Sequence, residues 1–124
     1  MKVGYARVST EDQNLDLQID ELKKAGCKKI YQDTKSGAKA DRPGLVLALE
    51  VLRKSDILVV WRFDRLGRSL KDLIEIANAI HKKGAGLTSL KENIDTSSSG
   101  GKLVFQMFGA LAEFERNLIL ERTA

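Results

Sequence analysis

The sequence predicts an α/β domain: a mostly parallel β-sheet of about four strands flanked by helices, followed by a long C-terminal helix. Three observations point there. Short apolar segments alternate with helix-period segments along the 124 residues. One of them, "DILVVW" at 56–61, is nearly continuous, as in a parallel strand covered on both faces. Charged clusters follow the strand-like segments, where parallel sheets place their ligand sites.

"KVGYARVS" (2–9) reads as a first strand, with Tyr5, Arg7 and Ser9 on one face and Ala6 and Val8 on the other. "TEDQNLDLQIDELKKAG" (10–26) reads as a helix with Leu15, Ile19 and Leu22 at helical spacing. Lys23 and Lys24 lie in its last turn and Gly26 stands at the C-cap. "KKIYQD" (28–33) is a second strand, and "TKSGAKAD" (34–41) a polar loop without periodicity. "RPGLVLALEVLRKS" (42–55) is a helix with Pro43 in its first turn. After "DILVVW" come a charged loop, "RFDRLGRS" (62–69), a helix, "LKDLIEIANAIHKKG" (70–84), and a weaker strand, "AGLTSLKE" (85–92).

From about Ser98 the chain reads as one long helix running to Ala124. Val104, Met107, Leu111, Phe114 and Leu118 form one apolar stripe; Phe105, Phe108, Ala112 and Ile119 form a second beside it. One stripe docks the helix on its own domain. Two cover more surface than so small a domain readily buries, which points to a partner helix; the alternative is a helix wholly buried within the domain.

Composition excludes more than it selects. Hydrophobic residues make up 43% and charged residues 31%, ordinary for a globular domain, and the net charge of +4 is compatible with nucleic acid without arguing for it. One cysteine and one histidine leave no internal disulfide and too few ligands for a Cys/His zinc site. No apolar run reaches membrane-spanning length and the N-terminus lacks a secretory h-region, so the expected location is the cytoplasm.

Arg7 on a strand poses the chemical question, because an unpaired buried guanidinium is expensive. Its face is either open to solvent or lines a site where an anion supplies the partner. Arg42, Asp64, Arg65 and Arg68 fall at neighbouring strand ends, and a helical start at Asp64 would group the last three. Guanidinium forks match phosphate oxygens and stay charged at working pH. The competing account is plain surface pairing of Arg65 and Arg68 with Asp64 and Asp72.

Other chemistries fail on the residues. "SSSGGKL" lacks the Ser/Thr of a phosphate loop, since Leu103 stands in its place; no GxGxxG follows the first strand, and there is no GxSxG. His81 reads as a surface histidine at a helix C-terminus. Trp61 reads as core. Carboxylates are too scattered for a metal nuclease. What remains is a serine among arginines, with no metal or nucleotide cofactor, suited to attack on a phosphodiester.

Together, "YARVSTEDQ" (5–13), "DRPGL" (41–45), "DRLGRS" (64–69) and "ILERT" (119–123) resemble, in that order, the motifs of the serine recombinases, the resolvases and DNA invertases. The similarity covers the whole chain, with "VVW…DRLGRS" and "IDTSS" closest to the invertases. The resemblance implies a catalytic domain over 1–124 in which Ser9 attacks DNA, forms a 5′-phosphoserine link and releases a 3′-hydroxyl. It implies that Arg7, Arg42, Arg65 and Arg68 bind the scissile phosphate and that Asp64 orients arginines. Tyr5, Gln13, Gln18, Asp33, Glu121 and Arg122 match supporting positions. The long helix, through Val104, Met107, Phe108, Leu111, Phe114 and Leu118, matches the family's interface, implying a homodimer and a homotetramer bridging two DNA sites. Two positions depart from the pattern: Ser55 where glycine is favoured, and Phe63 where an aliphatic residue is usual. The family's DNA-reading helix-turn-helix is expected to be absent. A non-catalytic dimerisation module and a small phosphohydrolase using Ser9 are the alternatives.

Overall fold

The computed structural model describes residues 1–9, 15–35, 42–108 and 110, with Ser9 and Lys35 as backbone. The order is β1 (Lys2–Ser9), α1 (Leu15–Lys24), β2 (Lys29–Lys35), α2 (Pro43–Val51), β3 (Ile57–Val60), a 3₁₀ turn (Phe63–Arg65), α3 (Leu70–Lys82), β4 (Gly86–Ser89) and β5 (Ile94–Asp95). A further helix, α4, covers 99–108. The sheet order is β2-β1-β3-β4-β5, parallel throughout except for antiparallel β5.

The sheet thus has five strands where about four are expected. β5 is two residues long, too short to leave a periodic signal, and pairs only Thr88 with Asp95 and Ser89 with Ile94. β2 runs two residues further than expected, because Thr34 and Lys35 continue the ladder opposite Val8 and Ser9. α2 stops earlier than expected. The Asp56 carboxylate accepts the Arg53 N–H at 3.0 Å and the terminal amine of Met1 at 3.0 Å, closing a turn that draws the chain out of the helix. The expected start of α1 in 10–14 lies outside the described residues.

Alternation along the strands explains the two layers. Val3 and Tyr5 of β1, Leu58 and Val60 of β3 and Leu87 of β4 face α2 and α3, meeting Leu45, Ala48, Leu73, Ile76 and Ile80. Ala6 and Val59 face the other way, under Leu22 of α1. Each fully buried leucine or isoleucine contributes about 1.5–3 kcal/mol, against about 0–1 kcal/mol for a surface ion pair, so the layers are held by apolar contact. α1 ends as expected. Gly26, at φ +95°, lets its own N–H and that of Cys27 reach back to Lys23 and Leu22 carbonyls.

α4 opens with the Ser98 hydroxyl accepting the Gly101 N–H at 3.0 Å. Phe105 is buried and packs edge-on against Phe63, ring centres 5.7 Å apart. Leu103, Val104 and Met107 are exposed, so the two faces of this helix separate as the stripes predict. Leu111, Phe114 and Leu118 lie outside the described residues. His81 corrects an expectation: it is half-buried, with Nε2 3.1 Å from the Thr96 hydroxyl, and burial, reinforced by the Lys102 charge, lowers its pKa.

Ser55 has φ +74°, the left-handed region that glycine enters without strain. Relief of about 1–2 kcal/mol of strain is partly offset by the greater freedom of unfolded glycine, about 0.5–1 kcal/mol. Ser55→Gly is expected to raise stability by roughly 0.5–1 kcal/mol, read as a higher urea midpoint at unchanged slope.

Candidate active site

The strand order turns back between β1 and β3, and the carboxyl ends of those strands form the crevice where such sheets bind ligands. β1 outruns β3, whose last partner on it is Tyr5. Beyond that point the buried Gln18 amide of α1 takes both main-chain groups of Arg7, accepting its N–H at 3.3 Å and donating to its carbonyl at 3.2 Å. A polar side chain on the buried face of α1 is thereby satisfied, and the strand is held straight into the crevice.

Tyr5 and Asp33 lie beneath it. The Tyr5 hydroxyl donates to Asp33 Oδ2 at 2.6 Å; the same carboxylate accepts the N–H groups of Gly44 at 2.7 Å and Leu45 at 3.0 Å. Asp33 therefore caps α2 from across the sheet, where Arg42, at the usual capping position, makes no side-chain cap. Burial, with the Asp33 hydrogen bond and charge behind it, drives the Tyr5 pKa strongly upward, so the phenol stays protonated as the donor. Gly44 is required here: a Cβ would lie 2.4 Å from the Gln32 carbonyl oxygen.

With α2 anchored, Arg42 reaches across to the start of α3. Its Nη1 donates to Asp72 Oδ2 at 2.8 Å and to the Leu66 carbonyl at 3.2 Å, and Nη2 donates to Asp72 Oδ1 at 3.2 Å. Asp72 also accepts the Arg68 N–H at 2.9 Å, while its own N–H donates to the Ser69 hydroxyl at 3.1 Å. The "DRLGRS" loop is thus closed onto α3 by a cap and a two-pronged ion pair. Gly67 lets the loop close, since a Cβ would sit 2.8 Å from the Leu73 nitrogen.

Arg7 enters this loop from below. Its Nη2 donates to the main-chain carbonyls of Asp64 at 2.6 Å and Gly67 at 3.3 Å. These acceptors carry no net charge, and among the described residues they are its hydrogen-bond partners. Its pKa is lowered, chiefly by burial; Tyr5 opposes this, and the charges of Arg42, Arg68 and Arg65 add to it. Four guanidinium groups therefore share one electrostatic neighbourhood. The Asp64 carboxylate points elsewhere, to Arg62 Nε at 3.1 Å. Ser9 ends β1 two residues beyond Arg7. Gln13, Glu121 and Arg122 lie outside the described residues.

Sequence reading did not single out Glu92, whose carboxylate accepts the Phe63 N–H at 3.3 Å and the Ser89 hydroxyl, tying the 3₁₀ turn to the end of β4. It took Asp72 only as a surface partner for the loop arginines. The Ser69-x-x-Asp72 spacing of a helix cap was the available signal. Among the described residues no three His, Cys, Asp or Glu side chains converge as cation ligands, and no helix is long and apolar enough to cross a membrane.

The profile of the family described as Resolvase, N terminal domain, matches residues 2–124. The chain belongs to the resolvase N-terminal domain family. The resolvase domain is 57% identical, over all of its length and 66% of the relative's, to the transposon Tn552 DNA-invertase BinR of Staphylococcus aureus. It is 54% identical to the serine recombinase gin of Escherichia phage Mu, covering 99% of this chain and 64% of that one. It spans about two thirds of the length of these curated relatives. Among solved structures, the N-terminal catalytic domain of TP901-1 integrase superposes with a TM-score of 0.80 at 36% identity, covering 95% of this chain and 98% of that one. The five-stranded, mostly parallel sheet is thus the resolvase arrangement.

Asp72 sets an acid limit on the loop. Burial pushes its carboxyl up, but the Arg42 hydrogen bond, the Arg68 N–H and both charges outweigh this, leaving it below the ordinary 3.8. A carboxyl depressed by folding stabilises fully above its unfolded value and loses that contribution as pH falls through the folded one. Asp72→Asn is therefore expected to cost about 1–2 kcal/mol near neutrality. Its stability should also fall less than the wild type's below about pH 4, by urea unfolding at both pH values.

Proposed function

We propose that this chain is the catalytic domain of a site-specific DNA recombinase, related to the invertases and resolvases, that cuts and rejoins DNA through a 5′-phosphoserine intermediate. The observation that carries the reading is Arg7: a partly buried guanidinium held by neutral carbonyl oxygens, close to three more arginines, two residues before Ser9 on one strand. Four clustered guanidinium groups, one of them held by neutral carbonyl oxygens, suit an anion that arrives from outside, and a phosphodiester has the right charge and shape.

In this reading the Ser9 oxygen attacks the scissile phosphorus. The P–O bond to the 3′ oxygen breaks and that oxygen leaves as a hydroxyl, while phosphorus keeps its ester count through the new bond to serine. Negative charge that builds on the phosphoryl oxygens falls to Arg7, Arg42, Arg65 and Arg68. Arg42 is already oriented by Asp72, and Asp64 positions Arg7 through its carbonyl. Attack by the 3′-hydroxyl of the exchanged strand reverses the step, so neither ATP nor a metal is required. Action on DNA fits the cytoplasmic location expected from the sequence.

Homodimer and homotetramer formation through the long helix completes the proposal, with DNA as partner. The exposed Val104 and Met107 support it, because they lie on the face opposite buried Phe105.

Two measurements test the reading. Joined to a DNA-binding domain and incubated with nicked target DNA, the wild type is expected to form a covalent adduct that Ser9→Ala abolishes and Arg7→Ala slows about 10²–10³-fold. An adduct that survives Ser9→Ala places the nucleophile elsewhere. In sedimentation, Met107→Glu is expected to shift the chain towards monomer.

A further inference from the structure

Beside the arginine site, the carboxyl ends of β3 and β4 carry a second cationic feature. Trp61, which follows β3, is buried to 7% exposure. The Arg62 guanidinium carbon lies 4.7 Å from the centre of its ring and the Lys91 ammonium 5.7 Å from it. The main chain that carries Trp61 and Lys91 is fixed at this point. Leu90 N–H donates to the Val60 carbonyl at 3.0 Å and Lys91 N–H to the Trp61 carbonyl at 2.9 Å, so the chain leaving β4 is stitched to the chain leaving β3. A ring covered by two cations is a platform for charge, and stacking on a base is closed to it.

Surface pairing accounts for part of this. Arg62 Nε meets the Asp64 carboxylate at 3.1 Å, but its two terminal nitrogens make no hydrogen bond among the described residues. The same holds for the exposed Lys91 ammonium. A pair of ordered cations with donors to spare fits an external anion.

The spacing says which anion. Neighbouring strands lie about 4.8 Å apart, so the row from β1 through β3 to β4 spans about 10 Å. A DNA strand advances about 3.4 Å per phosphate along the duplex axis. Phosphates of one strand lie further apart in space than this axial rise, so Arg62, one strand from Arg7, and Lys91, two strands away, reach about one to two phosphates along one backbone. We infer that Arg62 and Lys91, ordered by Trp61, form a clamp for the DNA phosphates that flank the one held at Arg7. This rests on DNA being the substrate. The clamp binds without reading sequence and takes no part in bond breaking.

The test is the salt dependence of binding, with this chain and a short fluorescent duplex titrated at several salt concentrations. Loss of one phosphate contact lowers the slope of log K against log salt by about 1. Lys91→Ala and Arg62→Gln are each expected to do so, equally on unrelated sequences, while Lys24→Ala, on a distant exposed lysine, leaves the slope unchanged. Trp61→Leu keeps an apolar side chain there but removes the aromatic face, and is expected to weaken binding while both charges remain and the fold, checked by circular dichroism, persists. An unchanged slope in the Arg62→Gln/Lys91→Ala double variant overturns the clamp. If Arg7→Ala lowers that slope while the double variant does not, only the clamp falls. A wild type with no salt-dependent affinity for DNA overturns the clamp, while the recombinase reading stands or falls on the Ser9 adduct.

Discussion

The Asp33 carboxylate is the interaction on which the rest of the site depends. It sits on β2, takes the Tyr5 hydroxyl from β1 and the Gly44 and Leu45 amides from α2, and so fixes three elements at one buried point. A carboxylate in that position would be costly without donors, and it has three. Arg42 immediately precedes the capped turn, so the direction in which it reaches is set by this cap. Through Arg42 the order extends to Asp72, then to Ser69 and the backbone of Arg68. Two helices on one side of the sheet are thus locked around the end of β1.

Within that frame the arginines differ in how they are compensated. Arg42 has a carboxylate fork and its pKa rises, chiefly through the Asp72 hydrogen bond. Arg7 has carbonyl oxygens and its pKa falls, chiefly through burial. Packing a guanidinium among its own kind opposes folding, and the apolar layers supply the difference: Tyr5, Leu58, Val60 and Leu87 are fully buried directly beneath. Stability of the core and charge at the edge are in this sense coupled. The edge can stay electropositive because the layers below it are well packed.

Much of this was legible in the residues. Alternation along "KVGYARVS" placed Tyr5 and Arg7 on one face, and the continuous run "ILVV" identified the covered strand. Gly26 marked the end of α1 because a left-handed cap leaves a one-residue signature. Interactions that join distant segments were not legible. Nothing local shows that Asp33 caps a helix starting ten residues later, or that Glu92 holds the Phe63 amide, because each side chain alone resembles a solvated acid. β5 was missed for its length. His81 was misread because its neighbour Thr96 arrives through the fold. Motif resemblance reached Gln18 and Asp33 where local chemistry did not, without saying what either touches.

Phe63 has a consequence for how assembly and chemistry meet. Its ring rests on Phe105 of α4, and its amide opens the 3₁₀ turn that carries Asp64 and Arg65. On the same stretch of α4, Val104 and Met107 look outward. Whatever seats against that outer face leans on a rod whose inner face bears, through a single aromatic ring, on the cradle of the reacting group. On the proposed function, assembly through that outer face and chemistry beside Arg65 stand one aromatic contact apart.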